Sequence, residues 1–126
     1  MKTVIIAAVI LIVIIISIVF GNFYIAKKIQ SFNDLLTSIT GAVESENWQE
    51  SQQLVNQIEQ DWSATSKRLA LLFHHDELRN INIALANLKS YIGQSEKIEA
   101  MAQLSTLRFF TKYIKIKDKL YIENIF

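Results

Sequence analysis

An uncharged apolar run occupies the start of the chain. Between Val4 and Phe20 no residue is charged, and Ser17 alone is polar. Extending the run through Gly21 to Ala26 gives 23 residues, a helix of about 34 Å, enough for a hydrocarbon layer of about 30 Å. Such a surface is costly in water and compatible with lipid. The run predicts a membrane-spanning segment over residues 4–26, whose partner is the lipid bilayer.

A cleaved signal peptide makes different demands: an apolar core of about 7–15 residues, then a small-residue cleavage site. This run is longer, and its one tolerable cleavage pattern, Val19-Phe20-Gly21, is followed at once by Phe23 and Tyr24. Those aromatics, with Lys27 and Lys28 behind them, read as an interfacial belt with a basic edge. We therefore read a retained signal-anchor. No Cys follows the run, which excludes lipoprotein processing. The α-amino group and Lys2 balance Lys27 and Lys28, so flanking charge does not decide orientation. The two-residue tail ahead of the run favours a cytoplasmic N-terminus. The expectation is a single-pass cell-membrane protein with an extracytoplasmic C-terminal domain.

The remaining residues, 29–126, amount to one small domain. It has no Cys, so neither a disulfide nor a thiolate metal site can form. The chain has no Pro and three Gly, the scarcity of breakers that an all-helical fold shows. Setting aside Lys2, Lys27 and Lys28 leaves ten bases against twelve acids. That balance gives no ground for nucleic-acid binding.

Apolar periodicity predicts four helices, over about 29–45, 47–73, 77–92 and 95–118. The first continues the membrane helix without a break, with Ile29, Phe32, Leu36, Ile39 and Val43 on one stripe. A turn falls near Glu44–Glu46. Asn47 and Glu50 then form a capping box, in which Asn47 accepts from a first-turn amide and Glu50 reaches back. Behind it lies a heptad seam: Trp48, Val55, Trp62 and Leu69, alternating with Ser51, Ile58, Thr65 and Leu72. The third helix carries Leu78, Ile81, Leu85, Leu88 and Ile92, with Asp76 as cap and Gly93 as the residue just past its end. The fourth has Ala100, Met101, Leu104, Leu107 and Ile114 on one face, and Phe109, Phe110 and Tyr113 on the other. A helix apolar on two sides is buried twice or meets something else. Residues 113–120 alternate with period two, yet no other segment offers a strand partner, so the reading is a fraying helix end. Short links make this an up-down bundle of about four antiparallel helices. The chain divides into an anchor with basic flanks, 1–28, and a bundle domain, 29–126.

Reactive chemistry is scarce. His74-His75-Asp76-Glu77 is the one cluster with ligand atoms, but adjacent helical residues diverge by about 100°. His74 and His75 are therefore weak metal candidates, and a polar interhelix turn is the plainer reading. There is no Gly-x-Ser-x-Gly elbow and no phosphate-binding glycine loop. No catalytic residue and no cofactor is expected. Arg108, Lys112, Lys115 and Lys119 follow steps of four, three and four on the fourth helix. They are candidates for lipid or partner contact. Within the chain, their counterpart is the run of acids Glu44, Glu46, Glu50, Glu59 and Asp61. The chain's last residue, Phe126, is apolar where ends are usually polar, and it joins the contact candidates.

Several motifs together carry a resemblance across nearly all of the sequence. They are Met-Lys before an Ile/Val-rich span; Glu46-Asn47-Trp48; Leu72-Phe73-His74-His75-Asp76-Glu77-Leu78 with Asn80-Ile81-Asn82-Ile83; Leu88-Lys89-Ser90-Tyr91-Ile92; Leu107-Arg108-Phe109-Phe110; and Tyr121 to Phe126. In this order they resemble domain-of-unknown-function family 4363, small membrane proteins of clostridia and related spore formers. Where family members often carry acids after the span, this chain has Thr37 to Ala42. The resemblance implies a membrane-anchored helical domain, extracytoplasmic, and brings no substrate or catalytic residue. Neighbouring genes in the family encode larger membrane proteins, which implies an accessory subunit. The expectation is a non-enzymatic anchored bundle that binds another membrane protein or itself. The alternative is an extracytoplasmic sensor or ligand-binding bundle.

Overall fold

The computed structural model describes residues 1–71 and 75–125, with side chains described for 1–71 and 75–112. Four helices follow one another: α1 Lys2–Glu44, α2 Trp48–Leu69, α3 His75–Gly93 and α4 Lys97–Ile125. The described residues contain no strand, and the alternating stretch at 113–120 is helical. With every neighbour helical, its backbone groups can pair only along its own axis.

α1 is a single helix of 43 residues, about 64 Å long. Its first 21 residues bury nothing, and from Ile25 one stripe turns inward: Ile25, Ile29, Phe32, Leu36, Ile39 and Val43. The steps of four and three are the seam spacing of packed helices. Ile25, which the sequence assigns to the apolar span, thus belongs to the bundle core.

The packed pairs are α1 with α2, α2 with α3, α3 with α4, and α4 with α1. This is a closed up-down-up-down square, in which α1/α3 and α2/α4 lie on the diagonals. Three contacts set the heights of the helices. The Phe32 and Trp62 rings lie 5.4 Å apart, joining α1 to α2. The buried Trp62 indole N–H donates to Asn82 Oδ1 at 2.6 Å, joining α2 to α3. The buried Thr111 hydroxyl donates to Asn33 Oδ1 at 2.9 Å, joining α4 to α1. The core of α2 holds Ser51, Val55, Ile58, Trp62, Thr65 and Leu69, the heptad read from the sequence. α3 contributes its predicted stripe plus Ala84. α4 contributes Ala100, Leu104, Leu107 and Thr111.

The helix ends differ from the sequence reading in four places. α2 stops at Leu69, not Phe73, because Leu71 N–H turns back to the Arg68 carbonyl in a tightened last turn. Asp76 lies in the first turn of α3, where it complements the helix dipole, and is not the cap. Gly93 is the last residue of α3, and the left-handed residue is Ser95 at φ 56°. α4 begins at Lys97, not Ser95, and runs past 118 to Ile125.

The two distal turns share one geometry. Asn47 N–H donates to the Ala42 carbonyl and Glu46 N–H to that of Val43; Glu96 N–H donates to Tyr91 and Ser95 N–H to Ile92. Each is a Schellman closure with a non-glycine residue, Glu46 at φ 57° or Ser95, in the left-handed position. The closure also alters the capping box. Asn47 Oδ1 accepts from Glu50 N–H at 3.3 Å, as the sequence predicts. The Asn47 backbone N–H is already bonded to Ala42, so the Glu50 carboxylate instead accepts from the Asn47 side-chain amide at 3.0 Å.

Glu46→Gly and Ser95→Gly remove the left-handed strain at little backbone cost elsewhere. Each is expected to raise unfolding free energy by about 0.5–1 kcal/mol, read from denaturant unfolding by circular dichroism in detergent. Leu36→Ala opens a cavity at a fully buried position of α1. The same assay is expected to show a loss of about 2–5 kcal/mol.

Candidate functional site

The end of the bundle next to the apolar stretch, here called its foot, gathers side chains that the chain order keeps far apart. Tyr24, one residue before the first core position, is the centre. Lys28, one turn on, holds its ammonium 5.6 Å from the Tyr24 ring centroid. Arg68, at the end of α2, lays its guanidinium 5.3 Å from the same centroid and donates to the Tyr24 hydroxyl. Cations are drawn to the ring face by its quadrupole. The cluster ties the last turn of α2 to α1 where the apolar surface begins.

Three further bases belong to the same end of the bundle. Lys27 adjoins Lys28, and Lys67 adjoins Arg68. Arg79 lies three residues nearer the foot than Asn82, the partner of Trp62. All five are exposed. Among the described residues the ion pair is Lys89 with Glu59 at 3.0 Å, midway up the bundle, and the five take no part in it. The described acids of the foot are Asp76 and Glu77 of α3.

The basic residues singled out on α4 are placed otherwise. Arg108 lies halfway up the bundle, with Nη2 3.4 Å from Thr37 Oγ1 and 3.3 Å from Thr40 Oγ1 of α1. Lys112 is exposed one turn nearer the foot. Among the described residues neither Arg108 nor Lys112 forms an ion pair with an acid of α2, which packs against α1 and α3. Of the acids of α2, Glu59 accepts from Lys89 of α3. The side chains of Lys115, Lys119 and Phe126 fall outside the described residues, as do those of Tyr113 and Ile114. Of the two aromatics opposite the α4 core face, Phe110 packs half-buried against the core, whereas Phe109 is 66% exposed. Their rings meet edge-on at 5.9 Å.

His75 opens α3 and is exposed, and His74 lies outside the described residues. Among the described residues no three His, Cys, Asp or Glu side chains converge on a point that would hold a metal. A cleft of about 80 Å³ opens between α1, α2 and α4, lined by Lys28, Phe32, Asp61, Trp62, Thr65 and Thr111 among others. Ligand pockets are typically about 300–1,000 Å³.

Sequence reasoning missed Tyr24 as a clasp and Asn33 with Thr111 as a buried pair. It read Tyr24 as an interfacial aromatic only. The signal present was position: an aromatic bearing a hydroxyl one step before a heptad seam.

Among the described residues one helix, α1, is long and apolar enough to cross a membrane. No curated protein and no solved structure matches the chain. The family model described as Domain of unknown function (DUF4363) matches residues 19–125, which takes in the foot, the bundle part of α1, the other three helices and both distal turns. The protein belongs to the DUF4363 family.

Proposed function

We propose that this protein is a non-enzymatic, membrane-anchored helical bundle that serves as an accessory or interaction subunit of another membrane protein. The observation that carries the reading is the state of α1 before the bundle. Ile5, Ile12, Val19 and Phe20 are 62%, 54%, 59% and 69% exposed, and none of the most apolar window is covered by the rest of the chain. Each large apolar side chain held in water forfeits about 1.5–3 kcal/mol. A bilayer removes that cost over the length this helix spans.

The interaction role draws on the surface of the bundle. Ile83 of α3, and Ile98 and Phe109 of α4, are large apolar side chains left outside the core. Phe109 and Ile98 lie on the helix whose sequence is apolar on two sides. Their exposure favours contact with a second protein over a ligand chamber, for which the cleft of about 80 Å³ is small. We place the bundle on the outer side of the cell membrane, as the family resemblance implies.

The test is isolation of the full-length chain from its native membrane in mild detergent, without crosslinker. A complex of defined stoichiometry is expected, weakened by Phe109→Ser while the helical content stays unchanged. Recovery as a monomer with no stoichiometric companion contradicts the proposal.

A further inference from the structure

Charge is sorted along the axis of this bundle. The distal turns carry Glu44, Glu46, Glu50, Glu96 and Glu99 against Lys97. Among the described residues the foot carries Lys27, Lys28, Lys67, Arg68 and Arg79 against Asp76 and Glu77, with Asp61 lining the same cleft as Lys28. Helix dipoles account for part of this. Lys67 and Arg68 complete the negative C-terminal end of α2, and Asp76 and Glu77 the positive N-terminal end of α3. The dipoles do not account for the rest. Lys27 and Lys28 sit in the middle of α1, and Arg79 lies near the positive end of α3, where a base is disfavoured.

Position supplies the missing reason. The five cations belong to one end of the bundle: Lys27 and Lys28 lie on α1 within about one turn of Tyr24, Lys67 and Arg68 at the end of α2, and Arg79 in the second turn of α3, just past the exposed Phe23, Phe20 and Val19 of α1. Arg68 is held there by the Tyr24 ring and hydroxyl. That bond uses one of the five N–H groups of a guanidinium, whose fork suits phosphate oxygens. A bilayer that receives the apolar helix presents its headgroups at this height.

We propose that the foot is a binding collar for anionic phospholipid headgroups, in which Lys27, Lys28, Lys67, Arg68 and Arg79 engage lipid phosphates around α1. The proposal rests on the reading that the exposed apolar stretch of α1, residues 4–23, lies in a bilayer. Arg108 is excluded from the collar. Thr37, its contact, lies thirteen residues beyond Tyr24 on α1, about 20 Å away, whereas a headgroup layer is about 5–8 Å deep on each side. The acidic distal turns are repelled by the same surface, so the charge gradient holds the bundle away from the bilayer plane at its far end.

The test reconstitutes the full-length chain in phosphatidylcholine bilayers doped with spin-labelled phosphatidylglycerol or spin-labelled phosphatidylcholine. The motionally restricted fraction of each label gives their relative association. A preference for phosphatidylglycerol of about fivefold or more is expected at low salt, shrinking as salt screens the collar. It is expected to fall towards one in the variant Lys27→Gln/Lys28→Gln/Lys67→Gln/Arg68→Gln/Arg79→Gln. It is expected to fall in part in Lys27→Gln/Lys28→Gln, which disturbs no core residue, and to persist in Lys89→Gln/Lys97→Gln. Restricted lipid with no preference for phosphatidylglycerol, or a preference that survives the five substitutions, overturns the collar and leaves the anchor standing. No restricted lipid of either kind overturns the anchor, and the collar with it.

Discussion

The structure depends on the continuity of α1. A helix satisfies its own backbone hydrogen bonds, so one uninterrupted rod can pass between surroundings that differ in polarity. From Lys2 to Glu44 the chain has no Pro, and Gly21 and Gly41 leave the helix unbroken. Up to Phe23 the rod is a bare apolar surface. From Ile25 it becomes one quarter of a bundle core. Because no hinge separates the two parts, the height of the bundle relative to the apolar stretch is set by covalent geometry. The other helices only have to find their places along that rod.

Apolar seams make the helices pack but leave sliding by a heptad inexpensive, since one Leu or Ile substitutes for the next. Polar contacts between the helices resist that sliding. Trp62 with Asn82, Thr111 with Asn33, and Arg68 with Tyr24 each pair groups on different helices. A shift by one turn leaves the buried Trp62 indole N–H without its partner, at about 1–3 kcal/mol, whereas the Thr111 hydroxyl falls back on the Leu107 and Arg108 carbonyls of its own helix. These pairs supply register, and the seams supply most of the driving force. The half-exposed Lys89–Glu59 pair adds little, as surface ion pairs do.

The seams were legible in the sequence because burial in a helix repeats every three or four residues. Val55, Ile58, Trp62 and Leu69 could be assigned to the core by counting alone, and they lie there. Asn47 could be read as a cap because its side chain acts on a neighbour three residues away. What escaped the sequence is whatever joins distant positions. Thr111 reads as a polar interruption until Asn33 is seen beside it. Leu72 and Phe73 continue the apolar pattern past the end of α2, since periodicity carries no stop signal of its own. Gly93 suggested the left-handed position, but the reversal falls two residues later on Ser95. The basic foot shows no motif, because residues 27, 28, 67, 68 and 79 become neighbours only through the fold. The basic stripe of α4 was visible by its spacing, and the square places its first member against Thr37 and Thr40.

The central claim is that α1 stands with its first half in lipid and its second half in water. The chain has no cysteine, so single substitutions report position without background. The most direct measurement is labelling of Ile10→Cys and Ser63→Cys in intact cells with a membrane-impermeant maleimide. The account predicts that Ser63→Cys reacts from outside, while Ile10→Cys stays unreactive until denaturing detergent dissolves the membrane. Reaction of Ile10→Cys at the rate of Ser63→Cys, or a mature chain that begins after Gly21, would contradict it.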